Sequence, residues 1–350
     1  MPPRRITYWT GTWDPRQEAI SKEVDLLRGL GGGCQTVVSF SPGQSTSIDI
    51  ARRVIRLSSR RDWLLRAIAP AIERSGTITH IFGSLDSWHL LRAVGRRPAV
   101  MTVVLSGRPL HRRMWSHISQ FAAESESLAT ELVQHGIPAE RVRVIYPGVD
   151  LHQYRPGESP SGPFRLLFAS SPSDPAEFDV RGISLLVEAA RLCPDVEVVL
   201  LWREWGDRAA GRRALARLSP PSNVHIEAAG GRDMPAIYRA SHAIACLYAP
   251  EFGKSCPNSV VEAMACGLPA LVSDSVGIAR LVRDSGAGFA VPRSVSHVVD
   301  AIRSIRQQRR GMAAAARRLA EQTFDVRAFL ESYVQLYAGV TAPPPARRAA

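Results

Sequence analysis

The stretch that decides the fold is residues 248–273, which read YAPEFGKSCPNSVVEAMACGLPALVS. It predicts a strand that ends near Tyr248, a polar loop, a helix that starts around Ser259, and a second strand over residues 270–273. Gly267 and Pro269 predict the end of the helix, because glycine adopts the left-handed C-terminal conformation and proline cannot continue a helix. This order of elements predicts a loop at the carboxyl edge of a parallel sheet.

Outward from this stretch, short apolar runs alternate with amphipathic helical patterns along almost the whole chain. The runs predicted as strands are Ile6–Trp9, Gln35–Phe40, Ile78–Phe82, Val100–Leu105, Val142–Tyr146, Arg165–Ala169, Val196–Trp202, Val224–Glu227, Ala243–Tyr248 and Pro269–Ser273. Such alternation is typical of parallel sheets covered by helices on both faces. We therefore predict an α/β protein with two doubly wound, Rossmann-like domains facing a cleft.

The boundary between the domains is predicted from a run rich in proline and glycine, His152 to Pro163. It places an N-terminal domain over residues 1–152 and a C-terminal domain over residues 153–324. Residues 341–350, rich in proline, alanine and arginine, are expected to form a flexible tail.

The charge is concentrated in the first part of the chain. The net charge is +12, and residues 1–120 hold 18 arginines and lysines against 8 acidic residues. This imbalance predicts an anionic partner for the first domain. The sequence contains no run of about 18 apolar residues, so we do not expect a transmembrane helix. The five cysteines form no CxxC pair, so we expect neither a disulfide framework nor a zinc site. Because disulfides belong to oxidising compartments, we expect a cytoplasmic location.

The start of the predicted helix is a candidate anion site. Ser259, Val260 and Val261 would direct backbone amides into the cleft, where they could bind a diphosphate. Two interpretations of Glu262, in the first turn, stay open. It forms a capping box with Ser259, or it accepts hydrogen bonds from two hydroxyls of a nucleotide ribose.

Several motifs carry a resemblance to a known family. The run Glu262–Pro269, EAMACGLP, is similar to the second half of the donor-binding signature of the retaining, GT-B-fold glycosyltransferases of family 4 (glycosyl transferases group 1). That signature has two glutamates separated by seven residues, and the second glutamate begins this run. The other matching segments, in chain order, are Ser125–Leu128, Gly136–Pro138, Val144–Asp150, Arg181-Gly182, Ser255–Asn258 and Phe324–Tyr337. The last of these resembles the helix that crosses back to the first domain, here expected over residues 325–340.

The resemblance implies a nucleotide-sugar-dependent glycosyltransferase of the hexosyltransferase type. It would transfer a sugar, with retention, to a glycan, a lipid-linked acceptor or a small molecule. The co-substrate would be a UDP- or GDP-sugar, with no bound cofactor, no metal and no nucleic acid expected. The residues expected to bind the donor are Gly11, Arg181, Ser259, Val260, Val261 and Glu262. Gly11 is included because a residue without a side chain lets backbone approach phosphate closely, although a plain turn explains it equally well.

Two departures from the family pattern affect the expected site. Lys254 lies eight residues before Glu262, where the family has its first glutamate. Either Lys254 replaces that acid or Glu251 reaches the same place from a longer loop, so both are candidate catalytic residues. Ser170-Ser171 stands where the family has a diphosphate-binding arginine, so Arg181 would carry the phosphate charge, with Lys254 as a second cation.

Basic residues of the first domain are the candidates for the anionic partner. Arg108 and His111 follow the fourth predicted strand and could contact an anionic acceptor, although a solvated basic turn explains them too. Arg52, Arg56 and Arg60 recur every four residues and predict one face of an amphipathic helix. Such a helix could dock the protein at the cytoplasmic face of an anionic membrane, although ordinary amphipathic helices share this pattern.

Two other functions remain under consideration. Loss of the first glutamate and of the arginine favours a catalytically weak or inactive GT-B scaffold or partner subunit. A basic nucleic-acid-binding protein is disfavoured, because no nucleic-acid-binding module is recognisable and aromatic residues are not interleaved with the basic ones.

Overall fold

The computed structural model describes residues 5–16, 18–30, 35–41, 44–84, 86–108, 115–158, 160–172, 174–202, 208–228 and 233–341. These residues form two compact units. The first unit comprises the described parts of Met1–Glu124, Leu128–Ile145 and Arg327–Ala350. The second unit comprises those of Ser125–Ser127 and Tyr146–Val326.

The first unit contains a sheet of eight strands. They are β1 (Ile6–Thr10), β2 (Thr36–Ser41), β3 (Ser47–Asp49), β4 (Val54–Ser58), β5 (Ile78–Gly83), β6 (Ala99–Val103), β7 (Ile118–Ala123) and β8 (Val142–Val144). Their order is β3-β4-β2-β1-β5-β6-β7-β8, and neighbours are parallel except β3 and β4. The order changes direction between β1 and β5, so the carboxyl ends of these two strands form the crevice where such folds bind ligands.

The second unit contains a parallel sheet of six strands. They are β9 (Phe164–Phe168), β10 (Val196–Trp202), β11 (Val224–Ala228), β12 (Ala243–Cys246), β13 (Ala270–Ser273) and β14 (Gly288–Val291). Their order is β11-β10-β9-β12-β13-β14. The change of direction falls between β9 and β12, which places the corresponding crevice at the ends of these two strands.

The helices of the described residues connect these strands. They are α1 (Ala19–Gly29), α2 (Asp62–Ser75), α3 (Trp88–Ala93), α4 (Glu126–Gln134), α5 (Glu177–Arg181), α6 (Ile183–Arg191), α7 (Arg208–Arg217), α8 (Met234–Arg239), α9 (Asn258–Ala265), α10 (Ala279–Asp284), α11 (Val295–Thr323) and α12 (Val326–Thr341). Within the described ranges, no helix is both long enough and apolar enough to cross a bilayer.

Each sheet is buried on both faces. In β10, Val199 and Leu201 belong to one apolar cluster, whereas Val198 and Leu200 belong to another. Successive side chains of a strand point to opposite faces, so apolar runs without alternation indicate a sheet covered on both sides. The ten strands predicted from the sequence all form, with ends displaced by at most two residues. The predicted α/β fold class is confirmed.

The C-terminal helix α12 packs into the core of the first unit. Its Phe329, Tyr333 and Tyr337 are buried in one apolar cluster with Tyr8 and other residues of the sheet. The hydroxyl of Tyr337 lies 2.7 Å from a ring nitrogen of His80, in the middle of β5. Side-chain packing and buried hydrogen bonds therefore hold α12 to this sheet.

The helix predicted for Arg52, Arg56 and Arg60 is wrong. Arg52 lies in the turn before β4, Arg56 lies within β4, and Arg60 lies in a 3₁₀ turn that follows it. β4 pairs with β2 and β3 and buries Val54 and Leu57. Arginines four residues apart repel one another on a helix, so their spacing does not stabilise one. Burial of two large apolar side chains favours the strand.

Candidate functional site

The crevice of the second unit begins with Ser170 after β9 and Tyr248 after β12. The buried Tyr248 hydroxyl donates a hydrogen bond to Ser170 Oγ at 2.8 Å. Burial raises the pKa of Tyr248. The backbone carbonyl of Tyr248 accepts hydrogen bonds from Ser273 and Ser275, at the end of β13. Hydroxyl groups from three strand ends therefore converge at one edge of the sheet.

Arg181 reaches this edge from α5. Its Nη1 donates to Ser170 Oγ at 2.7 Å, and its guanidinium carbon lies 4.7 Å from the centre of the Phe252 ring. The guanidinium group thus comes to Ser170, the position where the resemblance implies an arginine. The Nε of Arg181 donates to Glu177 Oε2 at 2.6 Å, so a carboxylate offsets part of the charge that Arg181 was expected to bring to a phosphate.

Gly182 positions Arg181. Arg181 is the last residue of α5, and Gly182 adopts a φ of 83° between α5 and α6. A Cβ atom at Gly182 would lie 2.4 Å from the carbonyl oxygen of Leu247 and 2.7 Å from its Cβ. Only glycine meets both requirements, since the left-handed conformation and the close approach each disfavour a side chain. The junction of the two helices therefore rests directly against the backbone after β12.

The start of α9 excludes one interpretation of Glu262. The helix begins at Asn258 and follows Pro257, which has no N–H group, and no side chain caps it. Glu262 lies beyond the first turn, so it cannot complete a capping box with Ser259, and that interpretation is wrong. The helix ends at Ala265, and Gly267 has a φ of 79°, as the glycine and proline signal predicted.

Two tyrosines surround the buried Glu262 carboxylate, which is 9% exposed. The Tyr238 hydroxyl, from α8, donates to Glu262 Oε2 at 2.8 Å. Burial and the nearby Glu262 charge raise the pKa of Tyr154. A hydrogen bond with Glu262 raises the pKa of Tyr154 as well, so both phenols bind the carboxylate, which offers about four acceptor positions. The sequence analysis missed both tyrosines, because nothing in a sequence links positions so far apart to Glu262.

The amides at the start of α9 differ from those expected. The N–H groups of Val260 and Val261 donate to the carbonyl of Pro257 at 3.0 and 3.2 Å, and both side chains are buried in the core. The prediction that these two residues present amides to an anion is therefore wrong. Asn258 and Ser259 come before Val260, whose N–H group makes the first hydrogen bond of the helix. Their backbone amides are therefore the ones at the helix N-terminus, and Ser259 is partly exposed.

The loop after β12 holds both candidates for the missing acid. Glu251 is exposed in a 3₁₀ turn, and Lys254 is partly buried. Burial raises the pKa of the Cys246 thiol to about 12, while Arg181 and Lys254 both act to lower it. The two cations are therefore within electrostatic reach of the same strand end.

The crevice of the first unit contains a cavity of about 310 Å³. Its lining includes Thr10, Gly11 and Thr12 after β1, and Ser84 and Ser87 after β5. A Cβ atom at Gly11 would meet nothing within 4 Å, so packing does not require glycine there. The proposed contact of Gly11 with phosphate stays a prediction.

Arg108 and His111, the candidates for contact with an anionic acceptor, belong to the first part of the chain. Arg108 is partly buried and lies 4.0 Å from Asp86, whereas His111 falls outside the described residues. His80 is buried and within 2.8 Å of Thr102 Oγ1, and burial lowers its pKa to about 3. Within the described ranges, no group of three or more His, Cys, Asp and Glu side chains is arranged to hold a metal ion.

Comparison with known proteins assigns the family. The family model described as "Glycosyl transferases group 1" matches residues 165–308, and the model "Glycosyltransferase Family 4" matches residues 36–153. Together the two matches span most of the chain. The protein belongs to the group 1, family 4 glycosyltransferases. The boundary between the two matches falls in the proline-rich run after His152.

Its relatives by sequence include D-inositol 3-phosphate glycosyltransferases. The enzyme of Mycolicibacterium paratuberculosis is 26% identical over 309 residues, which are 83% of this chain and 65% of the relative. The enzyme of Mycobacterium sp. (strain JLS) is 27% identical over 179 residues, which are 48% of this chain and 40% of the relative. The chain therefore matches less than two thirds of the length of either relative.

Similar solved structures place this chain in the GT-B fold. Anabaena HepE, solved with UDP and glucose, has a TM-score of 0.77 at 19% identity and covers 96% of this chain and 99% of its own. Sucrose-phosphate synthase from Thermosynechococcus elongatus has a TM-score of 0.75 at 16% identity, with coverages of 96% and 99%. At these identities the likeness concerns the fold.

Proposed function

We propose that the protein transfers a sugar, with retention, from a UDP- or GDP-sugar to an acceptor, and that its second unit binds the donor. The buried Glu262 carries this proposal. Glu262 lies on α9, the helix that follows β12, and its carboxylate accepts a hydrogen bond from Tyr238 of α8. Parallel sheets bind nucleotides where such helices leave the carboxyl ends of the strands. In the proposed complex it accepts hydrogen bonds from the ribose hydroxyls. Two findings support a nucleotide-sugar donor: the family to which the chain belongs, and the crystal structure of Anabaena HepE in complex with UDP-glucose.

The proposed chemistry depends on stabilising the leaving diphosphate. Glycosidic bonds break through a transition state with oxocarbenium character, while negative charge grows on the leaving group. Arg181, Lys254 and the amides of Asn258 and Ser259 would bind that charge, since fixed cations and amides are effective where charge develops. The leaving phosphate itself would accept the acceptor's proton, so no protein base is assigned.

The acceptor is proposed to bind in the first unit. The cavity at the ends of β1 and β5 combines hydroxyl groups of Thr10, Ser84 and Ser87 with apolar walls. Its volume of about 310 Å³ lies at the small end of the usual range for ligand sites. A glycan end, a lipid headgroup or a small molecule would each fit this description.

Ligand screening tests the function directly. Thermal unfolding should shift upward with UDP or GDP and less with ADP or dTDP, because a ligand that binds only the folded state raises its apparent stability. Turnover of the matching nucleotide sugar should then release the nucleoside diphosphate. An inactive scaffold would show neither transfer nor hydrolysis with any donor, and that result would contradict the proposal.

The loop candidates are expected to differ in kinetics. If Glu251 performs the work of the missing acid, Glu251→Ala should reduce kcat more than Lys254→Ala does. If Lys254 neutralises phosphate, Lys254→Ala should weaken the binding of UDP and of the nucleotide sugar alike, because both carry the diphosphate. Isothermal titration with UDP and steady-state kinetics separate the two. Near-parent values for both variants would remove this loop from the site.

We propose that the first unit docks on an anionic membrane through exposed side chains next to β3, rather than through the helix predicted from the sequence. The edge strand β3 and the turn after it expose Ile48 (68%) and Ile50 (85%), and the side chain of Arg52 in that turn is 80% exposed. Exposed apolar side chains beside cations suit a lipid surface, and each cation contributes about 1 kcal/mol near anionic lipid.

Vesicle co-sedimentation checks this proposal. The protein should bind vesicles that contain phosphatidylserine, should release from them at high salt, and should not bind neutral vesicles. Arg52→Glu combined with Ile50→Ser should abolish binding, whereas Arg280→Glu with Arg283→Glu, on the second unit, should not. Equal binding to both vesicle types, or to neither, would contradict membrane docking and leave the charge of the first unit to a soluble acceptor.

A further inference from the structure

A second cavity in the second unit lies at the opposite edge of the sheet from Ser170 and Tyr248. Its volume is about 510 Å³, and its walls include Pro160, His242 and Leu268, which precede β9, β12 and β13. In a parallel sheet the amino ends of the strands share one edge and the carboxyl ends share the other. This cavity therefore lies at the other edge of the sheet from Ser170 and Arg181, while its Cys266 is within electrostatic reach of Glu262. The inference below does not depend on the proposed donor site.

Five arginines line this cavity, which we name the basic recess: Arg239, Arg309, Arg310, Arg317 and Arg318. Glu158 is the acidic residue among the described lining residues. Arg239 lies 3.8 Å from Asp233, and Arg317 Nε lies 2.7 Å from Glu321. Among the described residues, no carboxylate lies within ion-pair distance of Arg310 or Arg318. The recess therefore carries excess positive charge.

The sequence of α11 shapes the recess. Arg309, Ala313 and Arg317 recur at intervals of four, and so do Arg310, Ala314 and Arg318. Residues four apart share a helix face, so the two alanines form a floor between arginines at either end. The two arginines of each row are eight residues apart, whereas Arg309 adjoins Arg310 and Arg317 adjoins Arg318, so like charges are concentrated at both ends of this floor. A bound anion would relieve their repulsion.

His242 adds a neutral wall rather than a further cation. Its Nδ1 accepts the backbone N–H of Arg165 at 3.0 Å, so the proton resides on Nε2, which lies 3.2 Å from the carbonyl oxygen of Pro160. Burial is the largest cause that lowers its pKa, and Arg309 and Arg165 lower it further, against the opposing Glu197. The charge of the recess therefore comes from its arginines and Glu158.

We propose that the basic recess binds a small molecule that carries two or more phosphate groups. Arginine presents a planar fork of donors that matches phosphate oxygens in pairs. The volume of about 510 Å³ falls within the range of small-molecule sites. The walls of the recess include Pro156, Gly157, Glu158 and Pro160 on one side and Cys266–Leu268 on another, which suits a compact ligand better than a nucleic-acid strand.

The test uses Arg310 and Arg318 rather than Arg317. Arg317 Nη1 donates to the carbonyl oxygens of Tyr154 and Ala265 at 2.8 and 2.7 Å, so its replacement would also disturb the fold. Arg310 and Arg318 are exposed. The test variant is Arg310→Ser with Arg318→Ser. The matched control, Arg280→Ser with Arg303→Ser, removes two exposed arginines of the same unit that do not line the recess.

Isothermal titration with inorganic tripolyphosphate, at constant ionic strength and with saturating UDP, provides the measurement. The parent and the control should bind tripolyphosphate with similar Kd, and the test variant should bind about tenfold or more weakly, because charge-assisted hydrogen bonds are lost. No binding by the parent, or equal binding by all three proteins, would overturn the proposal. Tighter binding of single-stranded RNA than of tripolyphosphate, lost in the test variant, would overturn the small-molecule assignment. If UDP does not bind, the proposed donor site fails, and the comparison of the three proteins still tests whether the basic recess binds tripolyphosphate.

Discussion

Glu262→Gln is expected to lower kcat/KM for the nucleotide sugar by about 100-fold and to leave the thermal midpoint near that of the parent. A hydrogen bond to a charged group contributes about 1.5–3 kcal/mol, more than one between neutral groups. Weakening two ribose contacts by about 1.4 kcal/mol each accounts for the expected factor. Glutamine keeps an oxygen that can accept the Tyr238 hydroxyl, so the packing of α9 against α8 survives.

Tyr238→Phe is the matched control, because it removes the hydrogen bond to Glu262 and keeps the charge. Its thermal midpoint should fall, since the buried carboxylate loses a donor, while kcat/KM should fall about tenfold or less. Titration with UDP, steady-state kinetics and thermal unfolding of both variants make the comparison. If Glu262→Gln transfers sugar as well as the parent, the carboxylate serves only to join α9 to Tyr238, and the donor binds elsewhere.

The ten strands that the sequence predicted include the edge strands β8 and β11, which are only partly buried. The sequence analysis missed β3, β4, β7 and β14. The arginines of β4 imitate a helical period, and its pairing with β2 and β3 is not visible in a local pattern. β14 was missed because it is short and begins with Gly288. A Cβ atom there would overlap the carbonyl oxygen of Ala270, so this glycine marks a close approach of strands that only tertiary structure reveals.

Parts of the candidate site were within reach of the sequence. Proline is favoured at the start of a helix, so Pro257 already indicated a start before Ser259, which leaves Glu262 outside the capping-box spacing. Glu177 and Arg181 lie four residues apart, the spacing of a helical ion pair, and they form one. Tyr238 lies 2.8 Å from Glu262 through the packing of α8 on α9, which no local pattern predicts. Local chemistry was therefore predictable, and the contacts between elements were not.

Gly182→Ala is expected to destabilise the second unit by about 3 kcal/mol. A non-glycine residue in the left-handed conformation costs about 1–2 kcal/mol. Forcing an extra carbon into a packed site adds typically about 1–3 kcal/mol. The clash at Gly182 is with the backbone of Leu247, which cannot rotate away as a flexible side chain could. Urea unfolding, followed by a probe of the second unit, measures this loss.

Gly311→Ala, in the middle of α11, is the control for the same chemical change. A Cβ atom there meets nothing within 4 Å, and alanine favours a helix over glycine by about 1 kcal/mol, so this variant should be more stable than the parent. UDP affinity should also separate the pair. Relief of the clash at Gly182 moves the end of α5, and with it the Arg181 guanidinium, away from Ser170, whereas Gly311→Ala leaves that contact unchanged. Equal stability and equal UDP binding in the two variants would contradict the close approach of α5 to β12, and with it the proposed place of Arg181 in the donor site.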